Sequence, residues 1–264
     1  MSLFAADGLR AGYGNRTVFE NVSFALERGE LVGVLGANGS GKTTLLKSIC
    51  GILPHEGTCT LDGTRLEACS PRQLAKLCSY IPQRSGIAID ISALDVVLMG
   101  FNPHLGLLEH PDRTMRETAR RMLEEVGLEG MAERNYLYLS EGQKQLCILA
   151  RTLVSGAKLL LLDEPESALD FHFRYRMPEL LRTWVRNTEG TALVALHDPV
   201  LALNCCDRLL IMQDGAIGGC VCPAEDSLDK TEQMLSMIYG AVSLHRCADR
   251  HGGTQLVMLR EDAL

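Results

Sequence analysis

The sequence predicts an α/β fold: a core on a mixed sheet, an antiparallel β layer against it, and an inserted helical subdomain. Three observations predict it. An apolar run, Leu31–Leu35, ends in a glycine-rich loop that leads into a helical segment. A second apolar run, Leu159, Leu160, Leu161 and Leu162, ends in the carboxylates Asp163 and Glu164. Continuous apolar runs of this length are the pattern of parallel strands buried on both faces. Between the two runs, residues 84–138 carry apolar positions at helical spacing. With 264 residues, the chain can bury one substantial core, or one core and a small subdomain.

The elements follow in order. Residues 3–24 alternate as two antiparallel strands, interrupted at Gly12, Gly14 and Asn15. Residues 57–61, with the Asp62-Gly63 turn, extend that layer. Residues 70–83 give a short helix and a buried strand. Met115, Ala119, Met122, Leu123 and Val126 mark one face of a helix whose charged residues lie mostly elsewhere. Ser140 is an N-cap for an apolar helix ending near Leu153. A helix over 173–186, a strand over 191–196 and a strand pair about Asp214-Gly215 complete the core. A helix over 230–239 and strands over 242–246 and 254–259 form a tail. The expected division is a core of residues 1–83 and 157–220, a helical subdomain of about 84–156, and an extension over 221–264.

Gly36-Ala37-Asn38-Gly39-Ser40-Gly41-Lys42-Thr43, followed by Thr44, fits the phosphate loop G-x-x-x-x-G-K-[ST] between strand and helix. Glycines let backbone N–H groups turn inward around an anion. The helix N-terminus adds partial positive charge, Lys42 a full one, and Thr43 a hydroxyl for magnesium. A glycine turn that binds nothing would not need Lys-Thr or these flanking elements. The expectation is a P-loop NTPase core that binds a nucleoside triphosphate. Asp163 and Glu164 fall at the carboxyl end of a buried strand, where α/β sheets bind ligands. Asp163 is placed to hold Mg²⁺, and Glu164 to polarise the water that attacks the terminal phosphate.

Leu139-Ser140-Glu141-Gly142-Gln143 lies upstream of the leucine strand. Alone it is a capped helix start; with the other two motifs it resembles the signature of ABC transporter nucleotide-binding subunits. The resemblance implies further roles. Tyr13 stacks on adenine. Gln83 senses magnesium, which Thr43, Gln83 and Asp163 hold, and links to the membrane partner. Ser167-Ala168-Leu169-Asp170 lies across a dimer interface, and His197 contacts the γ-phosphate. It also implies a head-to-tail homodimer clamping ATP between the phosphate loop of one copy and Ser140, Gly142 and Gln143 of the other, with Asp170 beside it. The family's usual residue after this serine is glycine. Here it is Glu141, a carboxylate that favours the helix dipole but repels a triphosphate, so its side chain is expected to point away.

Residues 70–75 before Tyr80-Ile81-Pro82-Gln83, residues 95–106, and His197-Asp198-Pro199 resemble ATPases of importers for iron-siderophores, haem and cobalamin. That implies two transmembrane permease subunits and an extracytoplasmic substrate-binding protein, with the chain at the cytoplasmic face of the membrane. A different importer or exporter ATPase, or a soluble ABC ATPase acting on ribosomes or DNA, is the alternative. No apolar run reaches about 18 residues, so no membrane span is expected, and the first ten residues lack the pattern of a secretory signal. A net charge of −7 argues against a nucleic-acid partner. Of ten cysteines, Cys50, Cys78 and Cys147 fit small buried hydrophobes. Cys220, Cys222, His245 and Cys247 have soft-ligand chemistry, but their spacing is not that of a zinc finger, so no metal is expected there.

Overall fold

Strands β1 (Ser2–Tyr13) and β2 (Arg16–Glu27) pair antiparallel, Tyr13 opposite Arg16, in a computed structural model that describes residues 2–83, 86–248, 250 and 252–261. β3 (Leu31–Leu35) starts the central sheet, and helix α1 (Lys42–Ile49) follows the glycine loop. β4 (Glu56–Leu61) and β5 (Thr64–Arg65) return to the first layer, giving the order β2-β1-β4-β5. Helix α2 (Pro71–Leu77) begins with a full capping box, Ser70 with Gln73, and Pro71 at its first position. β6 (Cys78–Ile81) follows it directly.

Helices α3 (Ala93–Leu98), α4 (Arg113–Glu125) and α5 (Glu141–Leu153) come next. The expected helical run is here much interrupted. Residues 86–92 have no helix, and turns and loop fill most of 102–112. Pro103 and Pro111 lack the N–H that a helix interior needs, and Gly100 and Gly106 raise the entropy cost. Residues 84 and 85, where the helical pattern was to begin, lie outside the described residues. The three helices share a core that includes Leu94, Val97, Ala119, Leu123, Leu146 and Cys147.

β7 (Leu159–Asp163), α6 (Phe171–Thr188), β8 (Thr191–Ala195), α7 (Pro199–Cys205), β9 (Arg208–Gln213) and β10 (Ala216–Val221) complete the central sheet and its helices. The strand order is β10-β9-β3-β8-β7-β6, parallel except for the β9–β10 hairpin. α6 starts two residues earlier than the apolar pattern predicts, because Asp170 caps it by accepting from the Phe173 N–H at 3.0 Å. Helix α8 (Leu228–Tyr239) and the hairpin of β11 (Val242–Ala248) and β12 (Thr254–Arg260) close the chain.

Alternation along the buried strands divides the core in two. Leu160, Leu162, Val194 and Ile211 pack with the helices, whereas Leu159, Leu161, Leu193 and Leu210 pack with Phe4, Leu9 and Leu61 of the antiparallel layer. Each leucine of the 159–162 run thus has a core to enter. At the rim, Asp62 in the β4–β5 turn pairs with both Arg28 and Lys158. Among the described residues, no helix is long and apolar enough to cross a membrane.

Candidate active site

Parallel pairing brings the carboxyl ends of β3, β8 and β7 to one edge, with β8 between the other two. The loop after β3 enters α1 at Gly41, whose φ is 107°. A Cβ there would come within 2.9 Å of Met212 and 3.2 Å of Val18, so glycine is required by conformation and by space. No side chain caps α1, leaving its first-turn N–H groups for an anion. The Ser40 hydroxyl is buried and lacks a hydrogen-bond partner among the described residues. An orphan donor beside an open helix N-terminus fits a phosphate.

Lys42 Nζ donates to the Gly36 carbonyl at 2.6 Å and the Ala37 carbonyl at 3.2 Å. Burial holds its pKa below the ordinary lysine value, while the charges of Glu164, Asp163 and Glu166 pull the other way. Thr43 Oγ1 donates to Asp163 Oδ1 at 2.9 Å across the end of β8, and Tyr80 OH donates to Asp163 Oδ2 at 3.2 Å. A hydroxyl and a carboxylate converging in this way are the hard oxygen donors that Mg²⁺ takes. The residues present therefore fit the ion.

Glu164 leaves β7 with φ 51°, its N–H donating to the Ala195 carbonyl at 3.0 Å. That turn aims its carboxylate between two partners: His197 Nε2 lies 2.5 Å from Oε1, and Gln83 Nε2 donates to Oε2 at 2.5 Å. A carboxylate held by an amide and an imidazole beside a phosphate site has the geometry of a general base.

The cleft over the loop is lined by Asn38, Gly39, Gly41, Lys42, Thr43 and Thr44 together with Val18 and Glu164. Gly36 and Ser40 shape the loop behind it. Tyr13 stands outside that lining, half exposed at the end of β1. Ser140, Gly142, Gln143 and Asp170 are not brought to it either. Ser140 and Gln143 form a capping box, with Ser140 Oγ accepting from Gln143 N at 3.3 Å and Gln143 Oε1 from Ser140 N at 3.0 Å. Glu141 is exposed and pairs with Lys144 at 2.8 Å.

Two residues join the site without having been singled out from the sequence. Tyr80 fixes Asp163, and its burial keeps the phenol protonated well above the usual range. Glu166 is 3% exposed, accepts from the His197 backbone N–H at 3.0 Å with Oε1, and leaves Oε2 without a partner among the described residues. Burial pushes its pKa up, with the His197 N–H the main opposing influence. The signal for Glu166 was a third carboxylate, beyond Pro165, still inside the apolar setting of the strand end.

The family model described as ABC transporter matches residues 19–167. The hemin import ATP-binding protein HmuV of Escherichia coli O157:H7 is 36% identical over 246 residues, 90% of this chain and 93% of that protein. An ATP-binding protein of Helicobacter pylori named for iron chelatin transport is 33% identical over 234 residues, 86% of this chain and 89% of that one. Among solved structures, an inward-facing ABC transporter of proposed metal-chelate type superposes with TM-score 0.81 at 24% identity, covering 99% of both chains. The ATP-binding cassette MJ0796, dimeric with ADP and Pi, gives 0.74 at 24% identity, over 83% of this chain and 98% of that one. The phosphate-binding edge is thus set in a chain whose kinship runs through nearly its whole length, and the chain belongs to the ABC transporter ATP-binding family as an ATPase.

Proposed function

We propose that this ATPase drives an importer for a metal chelate of the iron-siderophore, haem or cobalamin type. The observation that carries the reading is near full-length similarity to proteins named for hemin import and iron chelatin transport. Two copies work head to tail against two permease subunits at the cytoplasmic face of the membrane, fed by an extracytoplasmic substrate-binding protein. Each ATP lies between the phosphate loop of one copy and Ser140, Gly142 and Gln143 of the other, with Asp170 at the seam and Tyr13 on the adenine. That arrangement accounts for a cleft from which Ser140, Gly142, Gln143 and Asp170 are missing within one chain.

In this reading Lys42 and the α1 N–H groups bind the phosphates, and Glu164 orients the attacking water and takes its proton. His197 faces the γ-phosphate while holding Glu164, and Gln83 links that carboxylate to the segment after β6. Thr43, Asp163 and Gln83 would hold Mg²⁺, which would neutralise charge on the phosphate oxygens. Leu107 and Leu108 are almost fully exposed on a loop that Arg72 holds through the Pro103 and Leu105 carbonyls. This apolar loop is offered as the grip for a permease helix. The chain reconstituted with its permease should show ATPase that rises when substrate-loaded binding protein is added outside. Leu107→Asp with Leu108→Asp should abolish that rise and leave the isolated chain's ATPase intact. Import of a sugar or peptide, or recovery of the chain only on ribosomes, would defeat the reading.

A further inference from the structure

The residues around β4 collect a second chemistry, separate from the phosphate loop. Gly57 bends the start of β4 with φ 92°, and its missing Cβ would lie 2.6 Å from the Asp7 and Gly8 carbonyls. The bend lets His55, four residues before Cys59, bring Nε2 to 3.9 Å from Cys59 Sγ instead of pointing along an extended strand. The β4–β5 hairpin pairs Thr60 with Arg65 and folds the following 3₁₀ turn back, so that Glu67 Oε1 lies 3.1 Å from the same Nε2. These three ligand atoms all lie within 4.8 Å of one another, the only such grouping of His, Cys, Asp or Glu among the described residues.

We propose that His55, Cys59 and Glu67 form a binding site for a single borderline transition-metal ion of the zinc type, completed by water. Ligands about 2.0–2.3 Å from a tetrahedral zinc stand roughly 3.3–3.8 Å apart. The two measured edges, 3.1 and 3.9 Å, differ from that face by small side-chain movements. The orienting contacts are already made: Glu67 Oε1 accepts from the Cys59 N–H at 2.6 Å, and Oε2 accepts from Arg65 Nε at 3.2 Å. Thiolate, carboxylate and neutral imidazole cancel the ion's two charges, which suits a site with Cys59 fully buried and the His55 side chain 8% exposed. Entry is open on one side, since His55 and Glu56 line a solvent cleft with Arg10 and Arg16. Without an ion the Cys59 sulfur is a buried thiol. Binding replaces that S–H bond by a metal–sulfur bond and releases the proton to solvent.

The test is a Co²⁺ titration of the full chain, reduced and free of nucleotide, followed by Zn²⁺ displacement. One equivalent should give a thiolate-to-metal band in the near ultraviolet and strong visible bands of four-coordination. A Co²⁺ ion at Thr43 and Asp163 has only oxygen ligands and gives no thiolate band. Cys59→Ser should remove the band, and His55→Gln should weaken binding at least tenfold, whereas Cys222→Ser and Cys247→Ser should leave it unchanged. Melting curves without metal establish that each variant is folded. Should Cys59→Ser not fold, His55→Gln and Glu67→Gln decide. Absence of the band in the parent chain, its survival in Cys59→Ser, or indifference to both His55→Gln and Glu67→Gln overturns the site.

Discussion

Helices α1 and α5 both present N-termini that the family resemblance assigns to phosphate, yet they are finished in opposite ways. α1 enters through Gly41 in the left-handed region, has no side-chain cap and no acidic residue in its first turn. α5 enters through Ser140, which with Gln143 closes a reciprocal capping box, and Glu141 follows immediately. The first end leaves its N–H groups open and adds Lys42. The second satisfies its own groups and adds a negative charge, which Lys144 balances. An anion site and a stable helix start are competing uses of the same donors. In this chain α1 is built for the anion and α5 for the helix, so a phosphate reaching α5 has to share or displace the Ser140 cap.

The largest effects should come from dismantling the α1 side. Lys42→Ala should weaken ATP binding by at least about thirtyfold, the low end for removing one partner of a buried charge contact. Glu164→Gln should keep ATP affinity within about threefold but slow hydrolysis by about 10²–10⁴-fold, since it removes the base and spares the cradle. Equilibrium binding of a fluorescent ATP analogue with a phosphate-release assay separates the two. A Glu164→Gln protein that hydrolyses at the parental rate ends the role given to that carboxylate.

Gly41→Ser makes α1 resemble α5 and tests the comparison directly. The left-handed backbone and the approach of Met212 should cost about 1–3 kcal/mol, and ATP affinity should fall at least tenfold. Retained affinity would mean that open N–H groups are not what binds the phosphates. Ser140→Ala, the converse change, should lower stability by about 1 kcal/mol in a denaturant melt. Its ATP binding as a monomer should be unaltered, because Ser140 does not line the chain's own cleft.

Glu166 offers a pH test inside the α1 site. Its folded pKa is raised above 4.5, so between 4.5 and the raised value the folded state binds more protons than the unfolded one. Its contribution to stability is present at low pH and is lost as pH rises through the folded pKa. Glu166→Gln should therefore melt higher than the parent above that window, with the difference vanishing below about pH 4. A constant difference across pH would remove the buried charge as its cause. The smallest effect belongs to Glu141→Gln: with an exposed side chain it should change helix stability by only about 0.3–1 kcal/mol. ATP-induced dimerisation, measured by light scattering in a Glu164→Gln background, should change by no more than a few-fold. A marked tightening would mean that the carboxylate turns toward the phosphates.

The parts most legible in the sequence were those where one residue type answers one physical demand. Gly41, Lys42 and Thr43 are nearly irreplaceable in a phosphate loop, and the leucines of β7 can only be buried. The segment from 86 to 139 was harder, because apolar spacing marks which residues go inside without showing where prolines and glycines divide the run. Tyr80 and Glu166 were missed for a related reason. Each acts through a contact made only when β6, β7 and β8 lie side by side: Tyr80 reaches Asp163 across 83 positions and Glu166 reaches His197 across 31. Asp170 was missed as a cap although its contact with the Phe173 N–H is local, because the start of α6 was read from apolar spacing alone.

The backbone of Glu164 is the feature with the widest consequence. At φ 51° a glutamate occupies a region where glycine or asparagine would rest more easily. Contacts with Gln83 and His197 offset part of that backbone cost, and the general-base role proposed for Glu164 supplies the further reason to keep a carboxylate there. Variants chosen only for thermal resistance should accordingly drift toward glycine at this position and become inert ATP binders. With Glu164 as the proposed base, this single dihedral sets durability against turnover.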